Sequence, residues 1–210
     1  PFRDPDALPT VEEAREALSG AVGAFYTAVD KWHGRDTWAK LADIAADKRP
    51  PLHLLTAGLG LGKTRTTAQA MVARLRHLRA KGDDAAAAVF LVPMHRLGEE
   101  IAGELRRMAP ELRVAVIRGA EAQDPQKPSE TACKRLDDYR HRQRHLLDPC
   151  SGCPLKDSCI VEQGRHVVAD IYVQAHGALA AGPAPSANKR GQRLDHVVID
   201  ESPMGALLVG

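Results

Sequence analysis

Residues 56–64 read TAGLGLGKT, preceded by the apolar run of residues 52–57 and followed by apolar residues recurring at helical spacing. Gly58, Gly60 and Gly62 let successive backbone N–H groups curl towards one point, and Lys63 and Thr64 open the helix that follows. A bend of this kind cradles phosphate, because the glycines admit close main-chain donors and the helix N-terminus adds positive partial charge. Lys63 can then reach the β- and γ-phosphates of ATP, and the Thr64 hydroxyl can ligate Mg²⁺. A glycine turn that happens to precede a lysine is the plainer alternative. The strand before it and the helix after it favour the phosphate site.

Working outward, the same alternation continues. Ala68, Met71, Val72, Leu75 and Leu78 share one helical face that ends near Gly82. Residues 87–92 read as a second strand stopped by Pro93; Leu97, Ile101, Leu105 and Met108 mark a helix, and residues 112–117 a third strand. Strands resume at residues 167–173 and 196–199. Short apolar strands alternating with amphipathic helices imply βαβ units, an α/β fold and a mostly parallel sheet with flanking helices. Asp200 and Glu201 close the last strand. In a nucleotide site the first holds Mg²⁺, and its neighbour orients the attacking water.

These motifs carry a resemblance. Ala57, Gly60, Gly62, Lys63 and Thr64 match the pattern A-x-x-G-x-G-K-T, which is similar to motif I of superfamily 1 and 2 helicases, with Ala57 where a general P-loop has glycine. The segment VVIDESP, residues 197–203, resembles the DEAD/DEAH-type motif II, departing from it at Ser202 and Pro203. Residues 92–97 (VPMHRL) resemble motif Ia, which in that family touches the nucleic-acid backbone; a proline-initiated helix start is the equal alternative. The resemblance implies the first RecA-like domain of a superfamily 2 helicase. ATP and Mg²⁺ would sit at Gly58, Gly60, Gly62, Lys63, Thr64 and Asp200, with Lys63 and Glu201 as the catalytic pair and DNA as partner.

All four cysteines fall in one polar stretch, Cys133, Cys150, Cys153 and Cys159, with spacing C-x16-C-x2-C-x5-C. Four thiolates complete either a tetrahedral zinc site or a [4Fe–4S] cluster, and a C-x-x-C pair lets one loop present two sulfurs. Disulfides are the alternative, disfavoured where a P-loop ATPase works in a reducing compartment. The stretch lies between the segments similar to motifs Ia and II, where XPD/DinG-type iron–sulfur helicases carry their cluster. Residues 169–179 (ADIYVQAHGAL) also resemble that family's segment before motif II. The resemblance implies an iron–sulfur cluster first and Zn²⁺ second, since Cys-rich phage- and plasmid-type relatives are also similar. The basic run at residues 140–145 (RHRQRH) could follow a phosphate backbone or simply face solvent. His176 is expected to be structural.

The remainder of the chain sets limits. Lys and Arg number 29 against 27 Asp and Glu, and the net charge of +2 does not by itself indicate nucleic acid. No apolar run approaches a membrane span and no leader is recognisable, so a soluble, cytoplasmic chain is expected. Thr10 and Glu13 form a capping box ahead of a helix from Val11 to about Trp32. Residues 1–50 are read as a helical extension, 51–119 and 166–210 as the two parts of the ATPase domain, and 120–165 as the metal-bearing insertion. Residues 182–193 read as a basic loop. The closeness of Asp200 to the last residue suggests a fragment of a longer protein that lacks its second RecA-like domain. Two other readings stay open: a metal-stabilised nucleic-acid-binding module with a nucleotide-sensing P-loop, and a primase-linked replicative ATPase.

Overall fold

Thr10 and Glu13 form the expected reciprocal cap: the Thr10 N–H donates to Glu13 Oε2 at 2.7 Å, and the Glu13 N–H donates to Thr10 Oγ1 at 3.2 Å. They open helix α1, Val11–His33, which buries Leu18, Val22 and Val29. A computed structural model provides the structure and describes residues 9–34, 51–54, 61–145, 147–179 and 191–200. The chain divides into two units, Pro1–His77 and Leu78–Gly210.

Helix α2, Lys63–Ala80, starts in the first unit, directly after Gly62, and its last three residues belong to the second. Its expected apolar positions Ala68, Met71, Val72 and Leu75 are all buried. Arg74 on α2 donates to Asp30 on α1 at 2.6 Å and stands 5.9 Å from the centre of the Tyr26 ring, so an ion pair and a cation–π contact join the two helices. Residues 51–54 depart from the expected buried strand. They form no strand, and Leu52 and Leu54 are 88% and 89% exposed. An apolar run reports a preference for burial, whereas a strand also requires a neighbouring edge to pair with. Residues 55–57 lie outside the described residues.

The second unit holds a sheet of β1 (Ala86–Val92), β2 (Val114–Ile117), β3 (Ile171–Ala175) and β4 (Arg193–Ile199) in the order β2-β3-β1-β4. All three pairings are parallel, which makes the unit α/β as expected. Every residue of β1 is buried, as its AAAVFLV sequence requires of a central parallel strand covered on both faces. Helix α3, His95–Met108, lays Gly98, Ile101, Ala102 and Leu105 inward. A Cβ at Gly98 would stand 3.3 Å from Val92 and 3.4 Å from Val173, so the helix backbone lies close to β1 and β3. Ala87, Val89, Leu91, Ala169 and Tyr172 form a core cluster, with Ile117 and Leu194 packed against it.

Strand boundaries shift for identifiable reasons. β3 starts at Ile171 rather than 167, because the N–H groups of Asp170 and Ile171 both donate to the Arg113 carbonyl, at 2.8 and 3.1 Å, and fix where pairing begins. β2 starts at Val114 because Leu112 still belongs to the turn closing α3, its N–H donating to the Ala109 carbonyl. β4 begins earlier than expected, where the Arg193 N–H meets the Ala85 carbonyl at 2.8 Å. Its pairing with β1 passes from Leu194 to His196, leaving Asp195 as a bulge.

The insertion has more apolar structure than its composition suggested. Ala120, Ala122, Ala132, Cys133 and Val161 form a small core of their own. Around it lie helix α4 (Leu136–Arg144), the 3₁₀ turn Lys156–Ser158 and helix α5 (Ile160–His166). Helix α4, which carries most of the basic run, buries none of its residues. Arg140 pairs with Glu121 at 2.7 Å, as a solvated helix face would. Among the described residues no helix is long and apolar enough to cross a membrane.

Candidate nucleotide and metal sites

Gly62 adopts φ +78°, the left-handed conformation open to glycine at little cost, and the chain enters α2 at the next residue. The Thr66 N–H donates to the Gly62 carbonyl at 2.9 Å, and the Thr67 hydroxyl donates to the Lys63 carbonyl at 2.9 Å, which locks the first turn. No acidic residue occupies that turn, so the positive end of an 18-residue helix, with Lys63 and Arg65 in it, favours an anion. Lys63 and Thr64 are half-buried. Gly58 and Gly60 lie outside the described residues, as do Glu201, Ser202 and Pro203.

In the second unit the parallel strands end along one edge, where open α/β sheets bind ligands. Asp200 stands there immediately after β4, its N–H donating to the Leu91 carbonyl at 2.9 Å. The same edge gathers His95 after β1, Gln174 and His176 at the end of β3, and Arg118 after β2. Arg118 pairs with Glu99 of α3. Burial, then the positive charge of Arg118, holds the His95 imidazole below its ordinary range, with Glu99 pulling the other way.

Three buried side-chain nitrogens at this edge find no partner among the described residues: His95 Nδ1, Gln174 Nε2 and His176 Nε2. Gln174 and His176 are each 3% exposed. An unpaired buried polar group costs about 1–3 kcal/mol, so folded chains keep few of them away from ligands or bound water. From sequence His176 has a structural place, and no motif singles out Gln174. The available signal was a polar residue inside the otherwise apolar run IYVQA, just where the strand ends.

The four cysteines are brought together and carry no disulfide. All four line one cavity of about 240 Å³ beside α4 and the 3₁₀ turn. A second cavity, of about 290 Å³, shares Cys133, Cys153 and Cys159. Cys133 and Cys150 are buried. Burial pushes the Cys133 thiol up; a backbone hydrogen bond at Arg135 opposes this, while the nearby Cys159 and Cys153 thiols add to it. The Cys150 thiol is pushed up to about 11, chiefly by burial, against the pull of Arg165 and with help from a hydrogen bond to Glu162. Crowded thiols that hinder one another's ionisation become favourable ligands once a cation replaces their protons. The sulfurs surround the cavity without closing on a point: among the described residues no three His, Cys, Asp or Glu side chains stand together as ligands of a single ion.

Glu162, on α5, escaped the sequence reading. Its side chain is 8% exposed and lines the four-cysteine cavity among Lys156, Arg165 and His166. Comparison with protein-family models, curated proteins and solved structures returned no match.

Proposed function

We propose that this chain binds and hydrolyses ATP as the first RecA-like motor domain of a nucleic-acid helicase or translocase. The observation that carries the reading is Gly62 in the left-handed conformation handing directly to a helix opened by Lys63 and Thr64. In this reading Lys63 binds the β- and γ-phosphates, and Thr64 and Asp200 hold Mg²⁺. Glu201 accepts the proton of the water that attacks the γ-phosphate in line, and a partner domain supplies further charge stabilisation. DNA is the proposed track, and the unpartnered His95, Gln174 and His176 nitrogens support a ligand along the carboxyl edge of the sheet.

A metal group at Cys133, Cys150, Cys153 and Cys159 belongs to the same proposal. The donor set suits either candidate, being four free thiols around one cavity. Either would be held by the same four cysteines: a [4Fe–4S] cluster takes one per iron, and a zinc takes all four. Such a group supplies structural cross-linking and, if iron–sulfur, a one-electron couple. The protein's part is to hold the four sulfurs and exclude water from Cys133 and Cys150.

The test is equilibrium binding of MgATP to the chain, followed by turnover. Lys63→Ala should weaken binding at least about tenfold, removing a charge-assisted contact worth roughly 1.5–3 kcal/mol. Unchanged affinity in that variant would dismiss the phosphate site. The cysteine cavity also supports a second reading, a metal-stabilised nucleic-acid-binding module. In that case DNA affinity should fall with cysteine substitution and remain indifferent to Lys63.

A further inference from the structure

The cavity contains a carboxylate that the proposed metal set does not use. Glu162 Oε1 accepts from His166 Nε2 at 3.2 Å and faces Lys156 Nζ at 3.5 Å, while Oε2 accepts from Arg165 at 3.4 Å. Arg165 also donates to Asp148 Oδ1 at 3.1 Å, and that same oxygen accepts the Cys150 N–H at 3.1 Å. Glu162 and Cys150 line the same cavity. The Cys150 backbone is therefore held through Asp148, and Arg165 ties Asp148 to Glu162, whose carboxylate shares the cavity with the Cys150 sulfur. Cys133 is held differently, with no carboxylate involved: its backbone carbonyl accepts the Thr131 hydroxyl at 2.8 Å, and its N–H meets the Ala120 carbonyl at 3.0 Å.

We infer that Glu162 and Arg165 are positioning residues for the metal group, holding the loop of Cys150 through Asp148 and setting the charge beside its sulfur. The inference rests on the reading of the four cysteines as a metal site. A carboxylate and a guanidinium next to one ligand sulfur act in opposite senses on the group that sulfur holds. The anion disfavours added negative charge there, and the cation favours it. Partners of this kind commonly alter metal affinity by roughly 10–100-fold when removed, and local charge is among the terms that set a cluster's potential.

The experiment uses the chain purified without oxygen and supplied with ferrous iron and sulfide, or with zinc alone. If it takes up a cluster, Glu162→Gln should raise the midpoint potential and Arg165→Gln should lower it. Opposite signs are not the result of simple loosening, which would move both variants alike. If it takes up zinc, Glu162→Gln should lose the metal to a competing chelator about tenfold more readily, and Glu162→Asp should recover part of the loss. Circular dichroism of the metal-free variants checks that each is folded. Potentials and retention equal to the parent chain would overturn the positioning role and leave the metal site standing. Failure of the parent to take up either metal would remove the site and the inference together.

Discussion

Asp170 shows how much one side chain can organise. It is 4% exposed, and its two oxygens receive Arg79 at 2.7 Å, the Arg113 guanidinium at 3.0 and 3.3 Å, and the Arg113 N–H at 2.7 Å. Its own N–H and carbonyl bond the backbone beside β2 and β1. Burial opposes its charge, but these donors outweigh burial and hold the carboxyl below its ordinary value. A depressed folded value means stability that is present above the unfolded pKa, about 3.9, and is lost as pH falls through the folded value. Asp170→Asn should therefore cost about 3 kcal/mol in urea unfolding at pH 7, since it leaves two arginines without their buried partner. The gap between variant and parent should narrow below about pH 4. A gap independent of pH would show that charge is not what Asp170 contributes. At Gly62 the issue is conformation: a β-branched valine at φ +78° is strained by roughly 1–2 kcal/mol. Gly62→Val should weaken MgATP binding while leaving the β-sheet signal in circular dichroism unchanged.

At the scale of elements, helix α3 illustrates why close approach has to be read from structure. Gly98→Ala gains about 1 kcal/mol of helix propensity, but its methyl meets Val92 and Val173 at 3.3 and 3.4 Å. These opposing terms should nearly cancel. Gly98→Val adds two methyl groups with nowhere to go and should cost about 1–3 kcal/mol by overpacking. A chemical-denaturation series of the three proteins tests the order Gly and Ala together, Val lowest. The run AAAVFLV made β1 legible, because a short apolar run stopped by Pro93 fits a strand covered on both faces better than a buried helix. The alternation of elements likewise revealed the parallel sheet. The starts of β2 and β3 were less legible, since Arg113 and Asp170, polar residues in the preceding loops, settle them through hydrogen bonds that no periodicity records. Residues 52–54 misled because leucines do not specify which edge, if any, receives them. The cysteine spacing indicated a common site, whereas Glu162 could be found only once α5 turned it towards Cys150.

On the scale of the whole molecule, the insertion and the sheet should differ in what stabilises them. The sheet has fully buried Phe90, Val92, Ile171, Tyr172 and Val173, each contributing about 1.5–3 kcal/mol of burial for the aliphatic and phenyl side chains. The insertion core is three alanines, Cys133 and Val161, with Leu136, Tyr139, Cys159 and Ile160 partly buried against it. So small a core supplies only a few kcal/mol before chain entropy is subtracted, and segments of this size usually need a metal or disulfide in addition. Its four thiols form no disulfide, so the proposed metal would be the cross-link, stabilising the folded insertion by RT ln(1 + [L]/Kd), where [L] is the free metal concentration. Replacing Cys150 and Cys153 together with serine should then unfold residues 120–165 locally. In hydrogen exchange, the Ala132 and Cys133 amides, which bond the Ala122 and Ala120 carbonyls at 2.7 and 3.0 Å, should lose protection. The Ala88 amide, bonded to the Asp170 carbonyl at 2.9 Å inside the sheet, should keep it. Equal loss at both places would mean that the insertion and the sheet fold as one cooperative body. Retained protection at Ala132 and Cys133 would mean that the small core stands without its cross-link, and the metal would then have to be justified by chemistry alone.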